Sequence, residues 1–315
     1  MAHRGDALGK DICCINNLKR LGSALLVNVG EISTETEILD TKVSLPFGFI
    51  PAASHKLAHP DGELATSRAA AKFGICMGLS SYSTYALEDV IREGQENPYM
   101  IQMCVLRDQS LTLQLLERAE SAGYKALFLS VDVPVLGHRL NKYRNDFRIP
   151  ADMAYPNILS NRSDRSSRTD YSSMKIWLKG VMSPEDVDLA IRHGVDGVIV
   201  SNYGGRQLDG VPSTLDALRA CVPVAKGKIP IAIDGGIRRG SDIFKALALG
   251  ADYCFLGRIP VWGLAYDGQN GVELALRILT MELKTTIALA GCRSVAEIQK
   301  SYLSILRPDG ELAKL

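Results

Sequence analysis

The feature that most narrows what this chain can become is a recurrence: from about residue 43 onwards, short apolar runs rich in β-branched residues alternate with segments of helical period. Alternation of this kind builds a parallel sheet, because a strand reaches a parallel neighbour only through a long crossover, usually a helix. Eight strand candidates stand out: VSLPFGFIPA from Val43, ICMGLS from Ile75, PYMIQMCV from Pro98, KALFLSVD from Lys125, KIWLKG from Lys175, GVIVSN from Gly197, IPIAIDG from Ile229 and YCFLGR from Tyr253. Between them, DGELATSRAAAKFG, DQSLTLQLLERAESAG, SPEDVDLAIRHG and RGSDIFKALALG open near a capping Asp or Ser, or an Arg-Gly turn, and close on the glycine expected past a helix C-terminus. Eight such units predict an α/β fold, a (β/α)8 TIM barrel, with residues 1–315 forming a single domain.

Two stretches break the rhythm. Residues 1–42 form no repeat unit, and this shortened N-terminal segment is expected to cover the amino-terminal mouth of the barrel. Residues 133–173, containing PNILSNRSDRSSRTDYSS, are polar and without period, which predicts a long, mobile loop after strand 4. On that face it is either a lid over the chemistry or a disordered insertion.

A formal charge of +1 without a basic run excludes the electrostatic footprint of a nucleic-acid binder, and no apolar stretch approaches the roughly 20 residues of a membrane span. Small-molecule partners are what remains. Cys13, Cys14, Cys76, Cys104, Cys221, Cys254 and Cys292 are odd in number and scattered without metal-like spacing, so reduced thiols in an intracellular, soluble protein with no metal site are expected. No secretory leader is evident. Ala313, Lys314 and Leu315 end the chain as AKL, close to the SKL peroxisomal address, so the expected location is the peroxisome, or the cytoplasm if the tripeptide is fortuitous.

Barrel enzymes place their chemistry at the carboxyl ends of the strands. Here Ser80, Gln102, Ser130, Asp132, Lys179, Ser201, Asn202 and Asp234 all fall within a residue or two of such an end. Groups of this polarity cost several kcal/mol each to bury unpaired, so they point to a ligand site. The sharpest local signal is DGGIRRG from Asp234, followed by Gly257 and Arg258 after the last strand. Gly235 and Gly236 let backbone amides approach an anion, Arg238 and Arg258 add forked hydrogen bonds, and the following helix amino terminus adds its dipole. Together they predict a phosphate site after the seventh and eighth strands.

With SNYGGRQLDG (Ser201 to Gly210), DGGIRRGSDIFKALALGAD, ALAGCRSVAEI, LPFGFIPAA, AHPDGELATSRAAA, LSSYST, SVDVPVLGHR and LKGV, the chain resembles the FMN-dependent 2-hydroxy acid oxidases and dehydrogenases, the family of glycolate and lactate oxidases, over about residues 43–304. The resemblance implies an FMN site. Pro51, Ala52 and Ala53, with Ser80, Gln102 and Ser130, would contact the flavin ring. Lys179 would approach the edge where reduced flavin gathers negative charge, Ser201 would reach the cofactor and Asp234 would bond the ribityl chain. Gly235, Gly236, Arg238, Gly257 and Arg258 would hold the phosphate. Ser130 departs from the family's threonine but keeps a hydroxyl. The family usually assembles as tetramers or larger rings, so a homo-oligomer is expected.

The substrate side departs further. The family's catalytic histidine belongs where this chain has Tyr203, and none of His3, His55, His59, His138 and His193 replaces it. By the resemblance, Tyr82 stands for a tryptophan and Cys104 for a tyrosine, both lining the substrate pocket, and a helix expected before strand five is deleted. Arg206 matches the arginine that grips the substrate carboxylate, Arg139 a second arginine, and Asp132 the carboxylate that supports the histidine. Free tyrosine titrates near 10, so holding Tyr203 as a phenolate at neutral pH takes about 4 kcal/mol. Losing general-base assistance costs about 10²- to 10⁴-fold. Three readings follow: a flavin oxidoreductase with a remodelled pocket and a substrate other than the small 2-hydroxy acids, with Tyr203 orienting or donating a proton; a true 2-hydroxy acid oxidase in which Tyr203 or the substrate supplies the base; or an FMN-binding barrel with a redox-neutral or purely binding role.

Overall fold

The computed structural model describes residues 18–20, 27–137, 144–158, 173–306 and 311–314. Eight strands close into a parallel barrel: β1 (Phe47–Phe49), β2 (Met77–Ser80), β3 (Tyr99–Met103), β4 (Ala126–Ser130), β5 (Lys175–Val181), β6 (Gly197–Val200), β7 (Ile231–Asp234) and β8 (Tyr253–Leu256). Each falls within one of the eight apolar runs of the sequence, except that β5 extends one residue past KIWLKG to Val181. The barrel closes where Cys254 pairs with Phe47.

The period of two along each strand decides what faces inward. Met100, Ala126, Phe128, Trp177, Ile199, Ala232, Tyr253 and Phe255 fill the barrel interior, while Ile101, Leu127, Val198, Val200, Ile231, Ile233 and Leu256 pack outward beneath the helices. Two residues further along the same inward columns come Gln102, Ser130, Lys179, Ser201 and Asp234. The alternation that builds the core therefore delivers these polar side chains to the carboxyl-terminal mouth.

The outer layer holds α1 (Gly62–Lys72), α2 (Leu87–Arg92), α3 (Gln109–Ala122), α4 (Pro184–Arg192), α5 (Thr214–Ala225), α6 (Gly240–Leu249) and α7 (Arg258–Leu289), the last broken at Asp267 and Gly268. Asp108 and Ser183 cap α3 and α4 by accepting from Ser110 and Asp186 N–H groups. Gly123 and Gly250 end α3 and α6 in the left-handed region, at φ 97° and 107°. Asp61 departs from that pattern: it makes no capping bond to α1 and instead pairs with Arg68 at 2.9 Å.

Thr36–Ile38 and Thr41–Val43 form a hairpin whose Ile38 and Val43 pack into the amino-terminal end of the barrel interior, and Asp40 pairs with Lys175. This part of the N-terminal segment does cover that mouth. Leu18–Arg20, Leu303–Leu306 and Leu312–Lys314 make a separate three-stranded antiparallel sheet. Of the terminal tripeptide, Ala313 and Lys314 belong to that sheet and Leu315 lies outside the described residues. In the loop after β4, residues 138–143 and 159–172 lie outside the description, whereas buried Asn157 anchors the rest. It accepts from Leu87 N–H at 2.9 Å and donates to Ser83 at 2.7 Å, docking residues 144–158 onto the loop after β2. Among the described residues, no helix is long and apolar enough to cross a membrane, and no cluster of potential metal ligands occurs.

Candidate active site

Two polar chains run side by side across the carboxyl-terminal mouth. On strands β2 to β4, the Ser80 hydroxyl donates to Gln102 Oε1 at 3.3 Å, and Gln102 Nε2 donates to Ser130 Oγ at 2.9 Å and to Cys104 Sγ at 3.7 Å. Register makes this possible, since Ser80 lies opposite Gln102. On strands β5 to β7, Lys179 Nζ donates to Ser201 Oγ at 2.9 Å and lies 3.3 Å from Asp234 Oδ2. Ser130 and Lys179 are paired residues of β4 and β5, which joins the two chains.

Lys179 and Asp234 form a buried ion pair, and partly buried Asp132 lies near enough to interact electrostatically with both. Burial opposes the charge of Lys179, but Asp234 and Asp132 outweigh it and raise its pKa. Asp132 is pushed up to about 6, chiefly by burial, with Lys179 opposing and Asp234 reinforcing the rise. Both of its carboxylate oxygens are buried without a hydrogen-bond partner, as is Oδ1 of Asp234. Asp132 lies flat against β5: a Cβ on Gly180 would fall 2.5 Å from its Cβ and Cγ, and Gly180 has φ 109°. A register shift between Lys179 and Val181 accompanies this contact.

The loop after β6 carries Tyr203, Gly204 and Gly205, all left-handed, at φ 57°, 63° and 72°. Such a conformation is strained for tyrosine. It is supported by Tyr203 N–H donating to Ser201 Oγ at 3.1 Å and by Gly205 N–H donating to Asn202 Oδ1 at 3.1 Å. Lys179 Nζ sits 5.1 Å from the centre of the Tyr203 ring. Arg206 follows at the exposed rim. Gln207 ties this loop to the one after β4, accepting from Gly137 N–H at 3.3 Å and donating to Val135 O at 3.0 Å.

At the phosphate-type corner, Gly235 and Gly236 adopt φ 94° and 74°, and Arg258 Nη2 donates to Gly204 O at 2.7 Å. The end of α6 is already occupied: Asp242 accepts from Arg238 and Arg239 N–H groups at 3.0 and 2.9 Å, and Glu282 from Gly240 N–H at 2.8 Å. These N–H groups of the helix end are therefore taken by carboxylates of the protein itself.

Tyr82 is half-exposed beside the site, with its pKa raised by burial and by Cys104 and Tyr203 nearby. Cys104 is likewise raised by burial and by Asp132. Pro51, Ala52 and Ala53 border the mouth after β1, and Gly78 passes close enough that a Cβ would meet Pro51 at 2.7 Å. Arg139 lies outside the described residues, as do His3 and His138. His55 is buried behind the loop after β1 against Thr66 at 3.0 Å, His59 Nε2 lies beside Gly268, and His193 ends α4.

Sequence reasoning missed Tyr155, which stacks edge-on against Tyr82 at 5.4 Å and shares a 3.0 Å hydrogen bond with Ser54. It also missed buried Glu63, which accepts from His55 N–H at 3.0 Å, Thr84 N–H at 2.9 Å and the Thr84 hydroxyl at 2.6 Å, holding together the loops after β1 and β2. The aperiodic loop gave no signal for Tyr155; an acid among the small residues of the buried face of α1 was the available signal for Glu63.

The family model described as FMN-dependent dehydrogenase matches residues 17–173 and 166–305. The chain is 46% identical over 316 residues to Oxidase FUB9 of Fusarium oxysporum f. sp. lycopersici, covering 91% of this chain and 81% of that protein. It is 38% identical over 313 residues to mouse 2-hydroxyacid oxidase 1, covering 90% and 85%. Among solved structures, mandelate oxidase carrying a C4a-OH-FMN adduct superposes with a TM-score of 0.88 at 33% identity over 96% of this chain and 92% of that one.

Proposed function

The chain belongs to the FMN-dependent dehydrogenases, as an FMN-binding oxidoreductase of the 2-hydroxy acid oxidase group, and on that premise we propose that its substrate pocket is remodelled around Tyr203 for a substrate other than the small 2-hydroxy acids. The observation that carries this reading is Tyr203 itself, at φ 57° above Lys179, in a site that no histidine among the described residues enters.

The residues present fit FMN. Asp234 Oδ1 is a buried acceptor awaiting a donor, as a carboxylate facing ribityl hydroxyls would be, and the Gly235–Gly236 turn with Arg258 and Arg238 suits a phosphate. Pro51, Ala52, Ala53, Ser80, Gln102, Ser130 and Ser201 border the space for the ring, with Gly257 beside the phosphate. Bound FMN supplies the hydride acceptor. Lys179 holds positive charge where the reduced ring gathers electrons, Arg206 and Arg139 grip an anionic substrate group, Tyr82 and Cys104 line its path, and Tyr203 orients it or donates a proton.

The conservation of type at Arg206 and Asp132 with the family pattern favours a second reading, a true 2-hydroxy acid oxidase with altered proton transfer. Anaerobic titration separates the two: bleaching of the flavin by glycolate or lactate supports the second, and bleaching only by a larger or different metabolite the first. Tyr203→His is expected to restore activity towards a small 2-hydroxy acid. A variant whose flavin stays oxidised would shift the blame to the other departures, Cys104 and Tyr82.

The chain is further read as one domain that forms a homo-oligomer. Trp262, Tyr266, Leu274, Ile278, Met281 and Leu289 leave large apolar side chains exposed along α7, which supports that reading and is checked by analytical ultracentrifugation. Delivery to the peroxisome is the location that the AKL tripeptide supports, and a fluorescent fusion with and without it tests this.

A further inference from the structure

With the family's histidine replaced, the reaction still needs a proton acceptor, and the described residues present one that the preceding reading leaves without a task. We propose that Asp132 is itself the base, taking the proton from the substrate hydroxyl directly. The proposal rests on the reading of the chain as an FMN oxidoreductase acting on a CH–OH group.

Three observations carry it. Both Asp132 oxygens are buried and make no hydrogen bond. A carboxylate in that condition is costly, and such groups concentrate where a protein uses them. The backbone also makes room for the side chain: Gly180 lacks the Cβ that would collide with it at 2.5 Å, and the register of β5 against β6 shifts at that point. Finally, the charged and titratable groups that act on it are Lys179 on β5, Asp234 on β7 and Cys104 after β3, so one ammonium, paired with Asp234, serves two carboxylates. Accepting one proton makes the trio of Lys179, Asp234 and Asp132 neutral. A carboxyl that titrates at about 6 is ionised at neutral pH yet basic enough to serve, whereas an ordinary aspartate at about 3.9 is a weaker acceptor by some two orders of magnitude.

The balance is complete. An Asp132 oxygen takes the hydroxyl proton, the O–H electron pair becomes the second bond of a carbonyl, and the α-hydrogen leaves carbon with its electron pair for the flavin. The substrate loses two electrons and two protons, the flavin is reduced, and the Asp132 carboxyl returns its proton to solvent. Gly180 is a positioning residue in this scheme, and Lys179 keeps the carboxyl from rising further.

The test uses the FMN-loaded protein and oxalate, a dianion that occupies the place of a deprotonated 2-hydroxy acid, read by its perturbation of flavin absorbance. If Asp132 faces that place, binding an anion requires the carboxyl to take up one proton. The Kd should then weaken about tenfold per pH unit above about pH 6, and the dependence should vanish in Asp132→Asn. Anaerobic flavin reduction by (S)-mandelate, a larger 2-hydroxy acid, should fall about 10²- to 10⁴-fold in Asp132→Asn at neutral pH. Asp132→Ser, assayed in parallel, guards against a variant that folds poorly. The same oxalate pH slope in wild type and variants, or undiminished flavin reduction in them, overturns the proposal. If oxalate shows the slope but no 2-hydroxy acid reduces the flavin even in the wild type, the reading as a true 2-hydroxy acid oxidase fails, while the remodelled pocket and the place of Asp132 as the proton-accepting group stand.

Discussion

Replacing Asp132 by asparagine should make the folded protein more stable above neutral pH even as it removes activity. The carboxyl pKa rises from 3.8 to about 6, a shift of about 2 units that amounts to about 3 kcal/mol against the folded, ionised state. That is an upper figure, because the residue keeps some solvent contact that screens it. The asparagine amide would remain buried with unpaired polar atoms at a cost of about 1 kcal/mol, which leaves a net gain of about 1–2 kcal/mol. The sign depends on pH. Between 3.8 and about 6 the folded state binds more protons than the unfolded chain, so stability falls as pH rises through this window, and the penalty is complete above it. The advantage of Asp132→Asn should therefore be full at about pH 8 and largely gone at about pH 4. Urea denaturation of both proteins in excess FMN at the two pH values measures it. A variant less stable than wild type at about pH 8, or an equal gain at both pH values, would refute the reasoning.

Three further outcomes follow from the same geometry. Gly180→Ala places a Cβ 2.5 Å from Asp132 at φ 109°, so it should cost about 2–4 kcal/mol in urea unfolding, and unchanged stability would mean that Asp132 can move aside freely. Lys179→Met leaves Asp234 and Asp132 buried without their cation, with an expected loss of about 3–5 kcal/mol. Its flavin potential should also fall, and an unchanged potential in spectroelectrochemical titration removes the proposed role of the lysine. Glu63→Gln weakens three hydrogen bonds that hold the loops after β1 and β2 together, so FMN affinity measured by fluorescence titration should drop about tenfold, and wild-type affinity would show that those loops hold the ring space open without Glu63.

Much of this molecule is local in origin and was readable from the chain alone. A period of two fixes which strand residues face inward, so Phe128 implies Ser130, Trp177 implies Lys179 and Ala232 implies Asp234 at the mouth, and the run of eight strand–helix units implies the closed barrel. The glycine turn at Gly235 and Gly236 was equally legible, because its conformation is a property of two adjacent residues. What depends on atoms distant in sequence was not. The seating of Asp132 on Gly180, the capture of Asn157 by Leu87 and Ser83, the approach of Tyr155 to Tyr82 and the occupation of the α6 end by Glu282 each join segments tens of residues apart. The rise of the Asp132 pKa belongs with them: desolvation and the opposing charges of Lys179 and Asp234 exist only once three strands have closed around one space. Side-chain type and spacing chose the scaffold and the residues at its mouth, and through-space burial and charge decided which of those residues can take up a proton.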